Sequence, residues 1–137
     1  MKSIKPKKFY WLFTLFMMMA MFLAACSPAT TTGLALEVDV EEAYSLREQG
    51  AFILDVRQPE EWEAGHIPDA TLIPLGELEN RVSEIPQDET IVVVCRSGNR
   101  SATGRDILLD AGFSDVTSMG GGMNEWANQG YEVVTGP

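Results

Sequence analysis

The run Cys95-Arg96-Ser97-Gly98-Asn99-Arg100-Ser101 carries the clearest chemistry in the chain. A single thiol leads it, two arginines flank it, and small or polar residues fill the gaps. The apolar run Ile91-Val92-Val93-Val94 comes just before. Ala102 to Ala111 follows and reads as a helix that stops at Gly112. The thiol therefore sits where a buried strand hands over to a helix. Amide N–H groups of a tight loop and of a first helical turn can converge on an anion there. The helix dipole adds roughly half a positive charge at the same end. Arg96 and Arg100 act in the same direction. All three effects favour the thiolate, which is the nucleophile. The expectation is a reactive thiol in an exposed loop. The alternative is an inert buried cysteine that closes a strand.

Stepwise along the chain, short strands alternate with short helices. Leu34 to Val38 reads as a first strand. Asp39 then looks like an N-cap with Glu42 as its capping-box partner, and Val40, Ala43 and Tyr44 keep helical spacing up to Gly50. Phe52 to Val56 is a buried strand whose end carries Asp55 and Arg57. Gln58 to Gly65 is a short helix with Pro59 near its first turn, His66 to Asp69 a turn, and Thr71 to Ile73 a short strand. Leu75, Leu78, Glu79 and Val82 keep helical spacing before Pro86. Thr90 to Val94 is the central strand, rich in β-branched residues as strands covered on both faces are. Asp115 to Met119 is a last strand, Gly120-Gly121-Gly122 a turn, and Met123 to Gln129 a short helix. Tyr131 to Val134 ends the chain as an extended piece. This alternation predicts an α/β fold with a mostly parallel central sheet flanked by helices on both faces. Ligands of such sheets sit beyond the carboxyl ends of strands. Cys95 and the Asp55–Arg57 pair both fall there.

The first 25 residues stand apart. Lys2, Lys5, Lys7 and Lys8 precede an apolar run of 17 residues, Phe9 to Ala25, and Leu23-Ala24-Ala25 leads to Cys26. This reads as an export signal. A short uncleaved membrane anchor is the alternative. The ending resembles the lipobox of bacterial lipoproteins. That resemblance implies cleavage before Cys26 and lipid on its sulfur, with the protein held at a membrane outside the cytoplasm. The expected organisation is a signal peptide over 1–25, a lipidated cysteine and flexible tether over 26–33, and one domain over 34–137. Removal of residues 1–25 takes away four lysines and no acid, so the net charge moves from −10 to −14. The remaining 112 residues hold no lysine and six arginines. So acidic a body argues against nucleic acid as a partner. It makes Arg96, Arg100 and Arg105 near Cys95 more telling, although Arg105 could equally be solvated or paired with a carboxylate. With Cys26 lipidated, Cys95 has no disulfide partner, which flags it as a free thiol.

The order and spacing of these pieces resemble the rhodanese family of sulfurtransferases. The matching stretches are Leu54-Asp55-Val56-Arg57, Glu60-Glu61-Trp62, Gly65-His66-Ile67-Pro68-Asp69-Ala70, Ile73-Pro74, the Cys95 loop, and Gly120-Gly121-Gly122 with Trp126. The resemblance implies that Cys95 takes the outer sulfur of a small anionic donor such as thiosulfate and carries it as a persulfide. A thiophilic acceptor (cyanide, a thiol or a protein thiol) then removes it. No cofactor is implied. Four residues separate Cys95 from Arg100, whereas the related phosphatases use five, and a shorter loop suits one sulfur better than a tetrahedral oxyanion. Arg96 tilts the donor towards thiosulfate. Arg100 is expected to bind the anion or hold the loop, and Ser97 and Ser101 to supply hydroxyl donors, unless Ser101 only caps the helix. Asp55 and Arg57 are expected to pair, His66 to be structural, and Trp62 and Trp126 to belong to the core. The three glycines are read as a turn. No metal-ligand spacing or dinucleotide fingerprint is present.

Overall fold

The computed structural model describes residues 33–137, and Gly33–Pro137 forms one compact unit. The export-signal and Cys26 readings lie outside the described residues. Five short strands build the sheet: β1 (Glu37–Val38), β2 (Phe52–Asp55), β3 (Thr71–Leu72), β4 (Ile91–Val94) and β5 (Val116–Met119). Their spatial order is β1-β5-β4-β2-β3, and every pairing is parallel. The helices are α1 (Val40–Glu48), α2 (Pro59–Ala64), α3 (Leu78–Arg81), α4 (Asn99–Asp110) and α5 (Gly122–Asn128).

β4 shows why the fold forms. Ile91 to Val94 is buried on both faces, so β-branched side chains are favoured at every position. Their directions alternate with period two. Ile91 and Val93 pack with Leu54, Val56, Leu78 and Leu108, towards α3 and α4. Val92 and Val94 pack with Ile53, Val40, Ala43, Met123 and Trp126, towards α1 and α5. Cys95 continues the Ile91–Val93 face and joins the first of these clusters. Helix α4 can lie close over this face because Gly104 has no side chain. A Cβ there would come within 3.0 Å of Val93 Cγ1 and 3.3 Å of Val56 Cγ1.

Several elements depart from the sequence reading. The first strand keeps only Glu37–Val38. Asp39 does cap α1, with Oδ1 accepting from the Glu42 amide at 2.9 Å. The true capping box belongs to α2, where Gln58 and Glu61 exchange side-chain and backbone bonds. The expected helix from Leu75 to Val82 is broken into a 3-10 turn (Leu75–Glu77), α3, and a second 3-10 turn (Val82–Glu84). Pro74 and Pro86 leave it little room, Gly76 weakens its start, and tight 3-10 turns satisfy short ends better than a single α-helix. Tyr131–Val134 is not a strand, but it does strap back. His66 and Val134 exchange backbone bonds of 2.8 and 2.9 Å, and Trp126 Nε1 donates to the Glu132 carbonyl at 2.9 Å.

Leu54 is fully buried at the centre of the first cluster. We expect Leu54→Ala to lower unfolding stability by about 2–5 kcal/mol through lost burial and the cavity left behind. Urea denaturation of residues 33–137 measures it. A loss below ~1 kcal/mol would contradict this packing.

Candidate active site

Strand register brings the candidate residues together. Asp55 pairs with Val94 across β2 and β4, so both strands end at one level. Cys95 and Arg57 thus both follow their strands at the same carboxyl edge of the sheet, one residue apart in register. The Asp55–Arg57 pair forms as expected. Arg57 Nη2 reaches Asp55 Oδ2 at 2.7 Å, Nε reaches both carboxylate oxygens at 3.0 and 2.9 Å, and the Arg57 amide donates to Oδ1 at 2.9 Å. The remaining guanidinium bonds go to the Glu61 carbonyl at 3.1 Å and the Gly65 carbonyl at 2.7 Å. Both residues are buried. So saturated a cation ties the end of β2 to both ends of α2 and is not free to hold a substrate anion.

Cys95 itself is 1 % exposed, although Arg96, Ser97 and Asn99 of its loop are exposed as expected. The cause is β4 alternation, which turns its side chain under the loop rather than outward. The loop closes over the sulfur with amides. The Gly98 N–H donates to Sγ at 3.1 Å, and the neighbouring Ser97 and Ser101 amides add to the stabilisation of a negative sulfur. Burial pushes the thiol pKa up, but the Ser101 hydroxyl and these three amides outweigh it and bring the thiol below its ordinary value. The S–H lies 3.5 Å from Ser101 Oγ, whose own proton goes to the Gly98 carbonyl at 2.7 Å. That hydroxyl can rotate, giving up the Gly98 carbonyl to turn towards the sulfur once the sulfur is an anion.

The rest of the loop divides clearly. Gly98, not Ser101, is the N-cap of α4, with φ 103°. A left-handed backbone there suits glycine, and it swings the following amides towards the sulfur. Ser101 sits inside the first turn, fully buried beneath the loop. Ser97 and Asn99 are exposed on the rim, so Ser97 contributes its amide rather than its hydroxyl. Arg100 is engaged by Glu61 through two bonds of 2.7 Å, which favours the loop-holding expectation over anion binding. Arg105 turns away to Asp106, Ser118 and the Leu36 carbonyl. Arg96 is exposed and has no ion-pair partner among the described residues, whereas the other five arginines of residues 33–137 all do. It stands at the wall of an open cleft of about 680 Å³, which Glu61, Met123, Asn124, Ala127 and Val133 also line.

Sequence reasoning missed two contributors. The first is the N-terminus of α5. The Met123 amide donates to the Cys95 carbonyl at 2.8 Å, and the Asn124 amide to the Arg96 carbonyl at 3.0 Å. The glycine run is thus a clamp on the loop as well as a turn. The second is Glu61, whose partner is 39 positions away in sequence. The Gln58-to-Glu61 capping-box spacing was its one local signal. His66 is buried and structural in its contacts, with its ring stacked on Trp62 at 3.5 Å and Nδ1 3.0 Å from the Trp62 carbonyl. Trp126 is core, while Trp62 is only half-buried.

The sequence family described as "Rhodanese-like domain" matches residues 39–129. This chain belongs to the rhodanese family. Thiosulfate sulfurtransferase GlpE of Pseudomonas syringae is 42% identical over 86 residues, which is 63% of this chain and 81% of that protein. A putative sulfur carrier protein, YrkF of Bacillus subtilis, is 40% identical over 56% of this chain and 42% of its own length. The crystal structure of a rhodanese-related protein from Thermoplasma volcanium superposes with a TM-score of 0.68 at 30% identity, covering 73% of this chain and 98% of that one. The parallel five-stranded sheet with flanking helices is thus the rhodanese fold.

Within this rhodanese, Gly122 carries the closest approach to the loop. Its φ is +59°, and a Cβ would fall 2.5 Å from both the Cys95 carbonyl oxygen and the Arg96 carbonyl carbon. Gly122→Ala should cost roughly 1–2 kcal/mol from the left-handed backbone alone. It should also push the loop off its clamp and slow Cys95 alkylation at neutral pH. Thermal unfolding and alkylation with iodoacetamide read the two effects. An unchanged rate would remove the clamp from the account of the site.

Proposed function

We propose that this rhodanese is a thiosulfate-type sulfurtransferase that works through a Cys95 persulfide. The observation that carries this reading is a sulfur ringed by loop amides beside an unpaired Arg96. In the first step the Cys95 thiolate attacks the outer sulfur of thiosulfate. A bond forms between Sγ and that sulfur, the thiosulfate S–S bond breaks, and sulfite leaves with the electron pair. In the second step the acceptor attacks the outer sulfur, and the electrons of the Sγ–S bond return to Cys95. Cyanide as acceptor gives thiocyanate, and a thiolate gives a new persulfide. The steps balance without a further oxidant, and this is two-step covalent catalysis with ping-pong kinetics. The loop amides stabilise the thiolate and the persulfide anion as an oxyanion hole stabilises oxygen. Arg96 supplies the cation for the dianionic donor. Gly98 and Ser101 shape the cradle, Asn99 and Ser97 form its rim, and Asp55 and Arg57 hold the neighbouring strand end.

A second reading, transfer to a larger thiol or a protein thiol, is favoured by the size of the cleft. At about 680 Å³ it far exceeds what cyanide or thiosulfate needs. The likeness to a sulfur carrier protein points the same way. Under this reading the persulfide turns over poorly on cyanide and well on a protein thiol.

Thiosulfate should add a single sulfur atom to residues 33–137 by intact mass, and cyanide should remove it as thiocyanate. Cys95→Ser should lose both steps completely. Because the thiol pKa is lowered, the thiolate persists to lower pH than for an ordinary cysteine. Persulfide formation should therefore fall away only on the acid side of the usual thiol range. Sulfur uptake by Cys95→Ser, or none by the unchanged protein, would end this reading.

We further propose that residues 1–25 direct export and that Cys26 bears lipid, on the sequence features alone. Labelled palmitate fed to cells expressing the full chain should enter the protein, and Cys26→Ser should abolish the labelling. Label retained in Cys26→Ser, or absent from the unchanged chain, would refute the anchor.

A further inference from the structure

Arg100 lies in the first turn of α4, beside the sulfur cradle, and by position is well placed to bind a donor anion. It is prevented by one contact. Glu61, on α2, takes both terminal guanidinium nitrogens, Nη1 to Oε2 and Nη2 to Oε1, each at 2.7 Å. Such a two-pronged pair is geometrically specific and charge-assisted. It is also held rigidly at the carboxylate end. The Gln58 amide donates to Glu61 Oε2 at 3.2 Å, and Arg57 holds the Glu61 carbonyl at 3.1 Å. Both side chains are about one-third exposed or less.

We infer that Glu61 sets the charge of the sulfur cradle, by withdrawing the Arg100 cation into a neutral pair and leaving Arg96 as the one cation that meets the donor. This rests on the sulfurtransferase reading and deepens it. The remaining charges around Cys95 fit. Asp55 and Arg57, at the end of β2, cancel each other in a buried pair. Glu61 and Arg100, from α2 and α4, do the same. Arg96, on the loop, is left over. The cradle then holds one extra negative charge comfortably, as thiolate or persulfide, without binding it so tightly that the second step stalls. Glu61 keeps this role across the working pH range. The Arg100 bond holds its carboxyl down at about 2, against the ordinary 4.5. A depressed carboxyl stays ionised, so its ion pair is complete above the ordinary value and is lost only as pH falls through about 2.

Glu61 is a positioning residue here, and the sign of the effect separates tuning from mere support. Glu61→Gln frees the Arg100 charge while keeping an oxygen that can still accept from the Gln58 amide. The pH midpoint of Cys95 alkylation should move down by about half a unit to one unit. The thiosulfate KM should fall several-fold, and thiocyanate release should slow. Arg100→Gln leaves Glu61 uncompensated, and the midpoint should move up. The double variant restores neutrality, and its midpoint should return close to that of the unchanged protein. Alkylation midpoints of the four proteins decide the matter without any sulfur transfer, so they test the charge role even if the transferase assay fails. Circular dichroism confirms folding of each. If both single variants shift the midpoint the same way, or neither shifts it, the charge role is overturned. If Glu61→Gln does not fold, the comparison of Arg100→Gln with the double variant still decides, because only a charge role for Glu61 brings the midpoint back.

Discussion

A sulfur anion under a protein surface is held only if dipoles replace the water it has lost. Cys95 is buried, and burial alone would keep it a neutral thiol. The Ser97, Gly98 and Ser101 amides and the Ser101 hydroxyl reverse that balance. Their convergence needs a very tight loop. The tight loop needs the left-handed Gly98, and it needs its first two carbonyls pinned by the α5 amides. That pinning needs Gly122 to pack against bare backbone. One electrostatic requirement thus reaches from β4 through α4 and β5 to α5.

Charge is distributed in keeping with that requirement. An acidic body repels an anion such as the proposed donor at long range, though salt screens this beyond roughly 10 Å. Local features must then do the attracting. Five of the six arginines in residues 33–137 are engaged in ion pairs, and that of Arg100 with Glu61 joins α4 to α2. Arg96 is the exception, and it follows the sulfur directly in sequence. Because its carbonyl is fixed by the Asn124 amide, its side chain leaves the backbone from a defined point at the cleft wall.

The layered fold and the thiol's place at a strand end were legible because they rest on short-range patterns. Four β-branched residues in a row and a Gly stop after α4 are local signals. The 3-10 breaks around α3 were not legible, since Leu75, Leu78 and Val82 keep helical spacing whether the backbone is α or 3-10. The burial of the thiol within its exposed loop was not legible for a related reason. Sequence shows that a loop is rich in Gly and Ser, but strand alternation decides which way its first side chain points. Counting in twos from Ile91 through Val93 would have turned Cys95 inward. Glu61 and Gly122 were invisible as site residues because their partners lie on other elements. Only the folded chain shows that α2 and α4 meet at Glu61 and Arg100, or that the turn after β5 touches the start of the loop.

Burial of Cys95 also distinguishes the two halves of the proposed reaction. Sγ lies at the floor of its cradle, so the donor must present a single small atom to it. Thiosulfate does so with its outer sulfur, and its sulfite part can stay at the rim near Arg96. In the persulfide, the transferable sulfur stands ~2 Å beyond Sγ. The acceptor needs to reach only that atom, so it need not fit within the loop. A narrow cradle, with an open cleft beside it at Arg96, therefore restricts the donor far more than the acceptor. The same geometry that keeps bulky reagents from the bare thiolate lets a thiol on a larger molecule collect the sulfur.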